Sequence, residues 1–253
     1  MKTKLIMTLA AGFALAAMAQ AQSIIDSFET WQFAKVGYCP CASNCVSTSA
    51  PEALGGERDL GVGRLEGSAM DSLFGDVCLT FPCTASLSSG PGVLGCMHIS
   101  YDGFDNSIAI NPTGLGGVDL TEGGACNALV LLTTSDLGAN VDVTVYQDAT
   151  HYSFAEIAIA ADPTFTFAET ILPFAQFVPI GPEGGADFTH VGALDFVLCN
   201  GPAGADIGMG VIRTAHDGSP RSRGFWTNHE ALWPTDSLVL GAWTYGKAEL
   251  LTL

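Results

Sequence analysis

The sequence predicts an all-β protein, an antiparallel β-sandwich of jelly-roll type, followed by a short C-terminal appendage that ends in a partial helix. Three observations lead there. Short runs of β-branched and aromatic residues recur along the chain, punctuated by Gly, Pro, Asn and Asp. No helical period intervenes between them, which argues against an α/β core. With 253 residues, 48% hydrophobic and only 14% charged, the chain is too apolar for a disordered acidic tail and long enough to bury a sizeable core.

Taken in order, residues 1–21 read as a secretory signal peptide. Lys2 and Lys4 precede an apolar run, and small residues at Ala17-Met18-Ala19 or Ala19-Gln20-Ala21 offer a cleavage site. That run is short for a membrane span, and no later stretch approaches about 20 uninterrupted apolar residues. The expected product is exported, with no membrane span. Its formal charge would fall from -17 to -19, because the signal holds two lysines and no acids. A surface so acidic excludes a nucleic-acid binder held by phosphate contacts, and it could attract divalent cations.

The sandwich is expected over residues 22–214. Its clearest strand is 141–146, where Val141, Val143 and Val145 share one face while Asp142, Thr144 and Tyr146 point the other way. Further strands are expected at 24–28, 93–101, 107–110, 128–133, 153–160, 164–167, 174–178, 191–198 and 207–212. A polar linker follows at 215–224, then the appendage at 225–253, in which residues from Lys247 onward invite a helix.

Eight cysteines, Cys39, Cys41, Cys45, Cys78, Cys83, Cys96, Cys126 and Cys199, all lie beyond the signal, and their number is even. In an oxidising compartment up to four disulfides are expected, with Cys78 and Cys83, flanking Leu-Thr-Phe-Pro, as the best local pair. The cluster Cys39-Pro40-Cys41-Ala42-Ser43-Asn44-Cys45 also offers three thiolates, but its spacing and the lack of a nearby histidine suit zinc less well than disulfides.

Candidate chemistry is sparse. His229-Glu230-Ala231-Leu232-Trp233 opens like the zinc-protease motif, yet Trp233 stands where the second histidine is needed. No nucleophile elbow, Walker loop or dinucleotide fingerprint is present. His98, His151, His190 and His216 are scattered, so surface histidines are the default. Glu57, Arg58 and Asp59 read as an ion-paired turn or strand edge. Asp102, Asp105, Asn106 and Asp119, each close to glycines, could ligate a structural Ca²⁺; the competing reading, preferred here, is that they cap turns. Trp31, Tyr101, Tyr146 and Tyr152 are the candidates for stacking on a pyranose, against the ordinary role of aromatics at a sheet margin.

Two resemblances add to this. The glycine-acid blocks Leu54-Gly55-Gly56-Glu57-Arg58-Asp59-Leu60, Tyr101-Asp102-Gly103-Phe104-Asp105-Asn106-Ser107, Gly114 to Thr121, Gly185 to Leu194 and Gly201 to Asp206 resemble a secreted bacterial β-sandwich domain of unassigned function, found in cell-surface proteins that carry sorting signals. The run Gly224-Phe225-Trp226-Thr227-Asn228-His229-Glu230-Ala231-Leu232-Trp233-Pro234-Thr235-Asp236-Ser237-Leu238 is similar to a small W-x-N-H…W-P-x-D-S-L module at the C-terminal side of secreted bacterial proteins, expected here to be truncated within its first helix. They imply a secreted or cell-surface bacterial location. The leading functional expectation is a non-enzymatic surface, matrix or adhesion component, with another envelope or matrix protein as partner. The alternative is a carbohydrate-binding module that uses outward aromatics, with a glycan as partner; a secreted hydrolase comes third. Apart from the Ca²⁺ option, no cofactor is expected.

Overall fold

The structure, a computed structural model, describes residues 23–36, 43–68, 72–78, 83–199 and 201–216, together with the backbone of two short strands at 237–240 and 243–246. The strands of the first half are β1 (Ile24–Asp26), β2 (Gln32–Val36), β3 (Ser43–Ser49), β4 (Glu57–Glu66), β5 (Leu73–Val77), β6 (Ala85–Ser89) and β7 (Leu94–Tyr101). The second half adds β8 (Ala128–Ser135), β9 (Ala139–Tyr146), β10 (Tyr152–Ile159), β11 (Ala168–Pro173), β12 (Val178–Pro179), β13 (Ala193–Cys199) and β14 (Ile207–Ala215). A separate hairpin joins β15 (Ser237–Leu240) to β16 (Trp243–Gly246).

These strands form two antiparallel sheets of seven, as the sequence predicts. One sheet, here sheet A, runs β11-β8-β14-β6-β5-β2, with β1 also paired to β14. The other, sheet B, runs β12-β10-β9-β13-β7-β4-β3. Sequence neighbours often sit in different sheets or on non-adjacent strands, which is the long-range connectivity of a sandwich rather than of a meander. The core lies between the sheets. Sheet B contributes Leu60, Val62, Met97, Ile99, Val141, Val143, Val145, Phe196 and Leu198, and sheet A contributes Val36, Leu73, Leu87, Leu129, Leu131, Ile207 and Ile212. The valine face of β9 therefore points inward, and Asp142, Thr144 and Tyr146 point outward, as alternation requires.

Several expectations need correction. Residues 107–110 and 164–167 are not strands. In the first, the Ser107 N–H donates to Asp105 and the Ala109 N–H to the Ser107 hydroxyl; in the second, Asp162 gathers the N–H groups of Thr164 and Thr166. Local side-chain acceptors have taken the backbone donors that a ladder would need. Residues 174–178 form a short 3-10 turn, Phe174–Gln176, before β12. The last strand of the sandwich reaches Ala215, so the first residue of the expected linker belongs to β14. The expected helix from Lys247 and most of the W-x-N-H…W-P-x-D-S-L run lie outside the described residues, but 237–246 contains a hairpin that the sequence reading did not foresee. Val239, Leu240, Trp243, Thr244 and Tyr245 flanking Gly241-Ala242 are residues that favour one.

Arg58 is ion-paired, as the sequence suggests, but inside the sandwich rather than in a turn. Glu57, Arg58 and Asp59 open β4, and the period of two sends Arg58 to the interior, where it is fully buried. Its Nη1 donates to Asp26 Oδ2 at 2.7 Å, Nε to Gln32 Oε1 at 2.9 Å and Nη2 to the Thr30 carbonyl at 2.6 Å. Its guanidinium carbon lies 5.5 Å from the centroid of the Phe28 ring. Tyr101 donates its hydroxyl to the same Asp26 Oδ2 at 2.8 Å. This polar knot joins β1, β2, β4 and β7 across the two sheets.

Two disulfides are formed among the described residues, Cys78–Cys83, the local pair the sequence favoured, and Cys96–Cys199, which joins β7 to the end of β13. Cys45 and Cys126 are free thiols, and Cys39 and Cys41 lie outside the described residues. The glycine blocks around Gly103 and Gly114 are packing devices. Gly103 has φ +92°, and a Cβ on Gly114 would fall 1.7 Å from the Asp102 carbonyl oxygen, so only hydrogens fit where the 102–127 loop crosses itself.

Candidate functional site

The outward face of sheet B is where the chain places its unexplained chemistry. Directly opposed residues form one transverse row across six strands: Ser47, Asp59, Ser100, Asp195, Thr144 and Phe154. A parallel row runs Cys45, Gly61, His98, Val197, Asp142 and Glu156. At one end of the face Tyr152 stands opposite Tyr146, and Ala193 lies on the other side of Tyr146. The two tyrosine rings have centroids 5.2 Å apart and planes inclined by 33°.

Although these positions face away from the core, the floor of the surface is withdrawn from water. Asp59 is 5% exposed, Ser100 2% and Asp195 9%. Gly61 contributes to this closeness, since a Cβ there would lie 3.0 Å from Cys45 Sγ and 3.4 Å from His98 Cβ. His98 Nε2 pairs with Asp195 Oδ1. Among the described residues, buried side-chain oxygens without a hydrogen-bond partner are Ser47 Oγ, both carboxylate oxygens of Asp59 and Asp142 Oδ1 on this face, and Thr134 Oγ1 and Ser135 Oγ on sheet A; Asp195 Oδ1 is the atom that pairs with His98. Buried polar atoms are normally satisfied, and an unpaired one costs about 1 to 3 kcal/mol. Those of Ser47, Asp59 and Asp142 are themselves closed to solvent, so they lie beneath the face rather than on it.

The electrostatics follow from this burial. Desolvation pushes the Asp59 carboxyl up to about 7, and the charges of Asp102, Glu57 and Asp105 push the same way. Ser47, opposite, is close enough to temper the shift but not in hydrogen-bonding geometry. Burial, with the facing charge of Glu156, also raises Asp142. Burial pulls His98 down, but the hydrogen bond and charge of Asp195, helped by Asp59, outweigh it and leave its pKa raised. Burial raises the Tyr146 hydroxyl, with Asp195 and Tyr152 adding to the effect.

Asp59 thus binds its proton more tightly in the folded protein than in the unfolded chain, where an aspartate titrates near 4. Folding stability therefore falls as pH rises from about 4 to about 7 and stays at its lower value above that. Asp59→Asn is expected to stabilise the fold by roughly 2 kcal/mol at pH 8 and to change little at pH 4, read from urea melts at the two pH values. Equal effects at both would contradict the assignment of the buried charge to Asp59.

Of the four aromatics picked from sequence, the structure brings together Tyr146 and Tyr152. Trp31 lies elsewhere, 59% exposed beside β2 of sheet A, stacked on Phe33 with centroids 6.4 Å apart. Tyr101 is a correction: it is fully buried in the core, bonded to Asp26 and edge-on to Phe196, and cannot stack on a ligand. The acids and His98 of the floor were passed over. Their signal was an acid or histidine at an outward position inside an otherwise apolar strand, as in Leu194-Asp195-Phe196 and Met97-His98-Ile99.

Of the four residues considered for Ca²⁺, Asp105 and Asp119 cap local turns, Asp102 accepts a backbone N–H from across its loop, and Asn106 is tied in through its backbone. Asp102 Oδ2 accepts the Asn111 N–H at 2.5 Å, Asp105 Oδ1 accepts the Ser107 N–H at 2.8 Å, and the N–H of Asn106, at φ 57°, donates to Glu57. Asp119 accepts from the N–H and hydroxyl of Thr121 and from the Gly123 N–H. The same Asp-x-Thr device recurs at Asp148–Thr150, Asp162–Thr164 and Asp187–Thr189. Among the described residues no three His, Cys, Asp or Glu side chains are gathered as metal ligands.

No protein-family model and no curated protein matches the chain by sequence. Among solved structures it is similar to a family 11 carbohydrate-binding module from Clostridium thermocellum in complex with a β-1,3-1,4-mixed-linked tetrasaccharide, at 10% identity and a TM-score of 0.39 over 77% of this chain and 96% of that one. It is also similar to the family 30 carbohydrate-binding module of a cellulosomal cellulase from Clostridium thermocellum, at 12% identity and a TM-score of 0.37 over 74% of this chain and 99% of that one. A family 29 carbohydrate-binding module from Piromyces equi shows 12% identity and a TM-score of 0.29, over 74% and 91% of the two chains. Likenesses this distant carry no information about the site.

Proposed function

We propose that the protein is a non-catalytic glycan-binding module of a secreted bacterial protein, with its ligand lying across the outward face of sheet B. The observation that carries this reading is the Tyr146–Tyr152 pair, half-buried at one end of an outward face lined with acids. A sugar matches both halves of such a surface. Its hydroxyls donate to exposed acids of the face such as Glu156, and the C–H face of a pyranose packs on a tyrosine ring. Hydrogen bonds to charged groups are worth about 1.5 to 3 kcal/mol each, so two or three of them with one stacking contact give micromolar to millimolar binding once the ordering of the ligand is subtracted.

A purely structural surface component, the leading expectation from sequence, needs no paired tyrosine rings on an outward face beside acids. Hydrolysis is not favoured either, because Asp195 is held by His98 and Asp59 lies in the floor of the surface rather than projecting from it. The test is affinity electrophoresis and calorimetry on a panel of polysaccharides. Tyr146→Ala is expected to weaken the best ligand about tenfold, the upper range for one aromatic contact, while Trp31→Ala leaves it unchanged. Turnover of any panel member, or equal loss in the Trp31 variant, would overturn the reading.

A further inference from the structure

The two outward faces of the sandwich differ in kind. Sheet B presents acids, with Asp142 and Glu156 in one row and Asp195 in the next. Sheet A presents aromatic rings at its β2 edge. On β2 the period of two turns Gln32, Ala34 and Val36 inward, so Phe33 and Lys35 face out, and Lys35 stands opposite Phe74 of β5. The Trp31 and Phe33 rings are stacked, with centroids 6.4 Å apart and planes 5° from parallel, and the Phe74 ring lies 5.9 Å from that of Phe33. Trp31 is 59% exposed. These three rings make an apolar strip on the outside of the sheet, in a chain whose formal charge is -17.

The same chain carries a matching surface. In the β15–β16 hairpin Leu238 is paired with Tyr245 and Leu240 with Trp243, while Ser237 is paired with Gly246 and Val239 with Thr244. Directly opposed residues share a face, and the face alternates along each strand. The register therefore places 238, 240, 243 and 245 on one face, as Leu, Leu, Trp and Tyr, and leaves Ser, Val, Thr and Gly on the other. A two-stranded hairpin alone in water is marginally stable at best, and strands of four residues are too short to bury an apolar face by themselves.

We infer that hairpin β15–β16 docks, by the face that holds Leu238, Leu240, Trp243 and Tyr245, on the Trp31, Phe33 and Phe74 strip of sheet A in the same molecule. The connection permits it. Strand β14, which leads out of the sandwich at Ala215, lies three places from β2 in sheet A, about 14 Å at the usual strand spacing. Residues 216–236 join it to the hairpin, and a coil of about 20 residues spans roughly 25 Å, enough to cross that distance. A tether of that reach holds the hairpin at an effective concentration of about 1 mM, far above the concentration of a second copy in dilute solution. The chain's own hairpin is therefore the occupant, rather than another molecule's.

Amide hydrogen exchange of the full chain, read by mass spectrometry on peptides covering β2, β9 and 237–246, tests this. In the wild type the hairpin amides are expected to exchange at least tenfold more slowly than those of an unstructured peptide. The double variant Trp31→Ser, Phe33→Ser should remove most of that protection while exchange in β9, on the other sheet, stays as it was. Trp243→Thr, which lies outside the sandwich and keeps a β-favouring residue in the strand, is the reciprocal test. It should speed exchange in β2, which a role confined to the hairpin would not do, and Val239→Thr on the opposite hairpin face should leave β2 unchanged. Hairpin amides that exchange at peptide rates in the wild type would overturn the inference, as would β2 exchange indifferent to Trp243→Thr. Protection of the hairpin that rises with protein concentration would give the strip to a second copy and overturn it as well.

Discussion

Arg58→Met is expected to destabilise the fold by about 3 to 5 kcal/mol, as loss of one partner from a buried ion pair does. The guanidinium is the partner of a fully buried Asp26 carboxylate, and its other donors satisfy Gln32 and the Thr30 carbonyl. Glu52, 3.7 Å from Nη1, extends the network to the turn that precedes β4. Removing the cation leaves Asp26 charged in the core with only the Tyr101 hydroxyl and the Phe28 N–H to hold it. The methionine keeps much of the side-chain volume, so the loss is electrostatic rather than a cavity. The companion double variant Arg58→Met, Asp26→Leu removes both charges and should recover a large part of the loss in urea melts. A single variant that melts like the wild type would show that the knot contributes nothing.

Joint replacement of Cys96 and Cys199 by alanine has an expected cost of similar size, about 4 kcal/mol. The bridge closes a loop with a sequence separation of 103, and in the chain-entropy account a loop of about 100 residues restrains the unfolded chain by about 4.7 kcal/mol at 25 °C. Cys78–Cys83, with a separation of 5, restrains much less chain and should contribute only about 2 kcal/mol. Peptide mapping without reductant is expected to recover both pairings, and the two double variants should differ in stability in that order. A larger loss from the short loop would mean that local geometry around Cys78, which adopts φ 55°, outweighs chain restraint.

The fold was legible wherever apolar residues alternated or ran together between breakers. Strand β9, and β7 over most of its length, bury every second residue, whereas β8, β13 and β14 are buried at nearly every position and read as short apolar runs. Strand β4 was hidden because its inward position 58 is an arginine, whose place in the core is decided by Asp26 and Tyr101 from distant parts of the chain. Strand β3, at the edge of sheet B and rich in serine, and the Ala-Ser-Leu-Ser-Ser of β6 were hidden because their polar residues look like loop. The site was half legible for a similar reason. Outward tyrosines next to acids could be read from β9 and β10, but the gathering of Asp59, His98 and Asp195 depends on β4, β7 and β13 becoming neighbours. Spacing in the sequence does not carry that information. Tyr101 was misassigned because alternation fixes which residues share a face but not which face is buried.

Ligand is expected to meet the outward face of sheet B. The most direct measurement is a backbone and side-chain amide titration by nuclear magnetic resonance, using isotope-labelled protein and the tightest oligosaccharide from the panel. Shift changes concentrated on Asp59, Gly61, His98, Ser100, Thr144, Tyr146, Tyr152 and Asp195, with the His98 ring resonances moving in step, are the predicted result. Changes concentrated instead on Trp31, Phe33 and Phe74 of sheet A, or spread without pattern over both sheets, would contradict it.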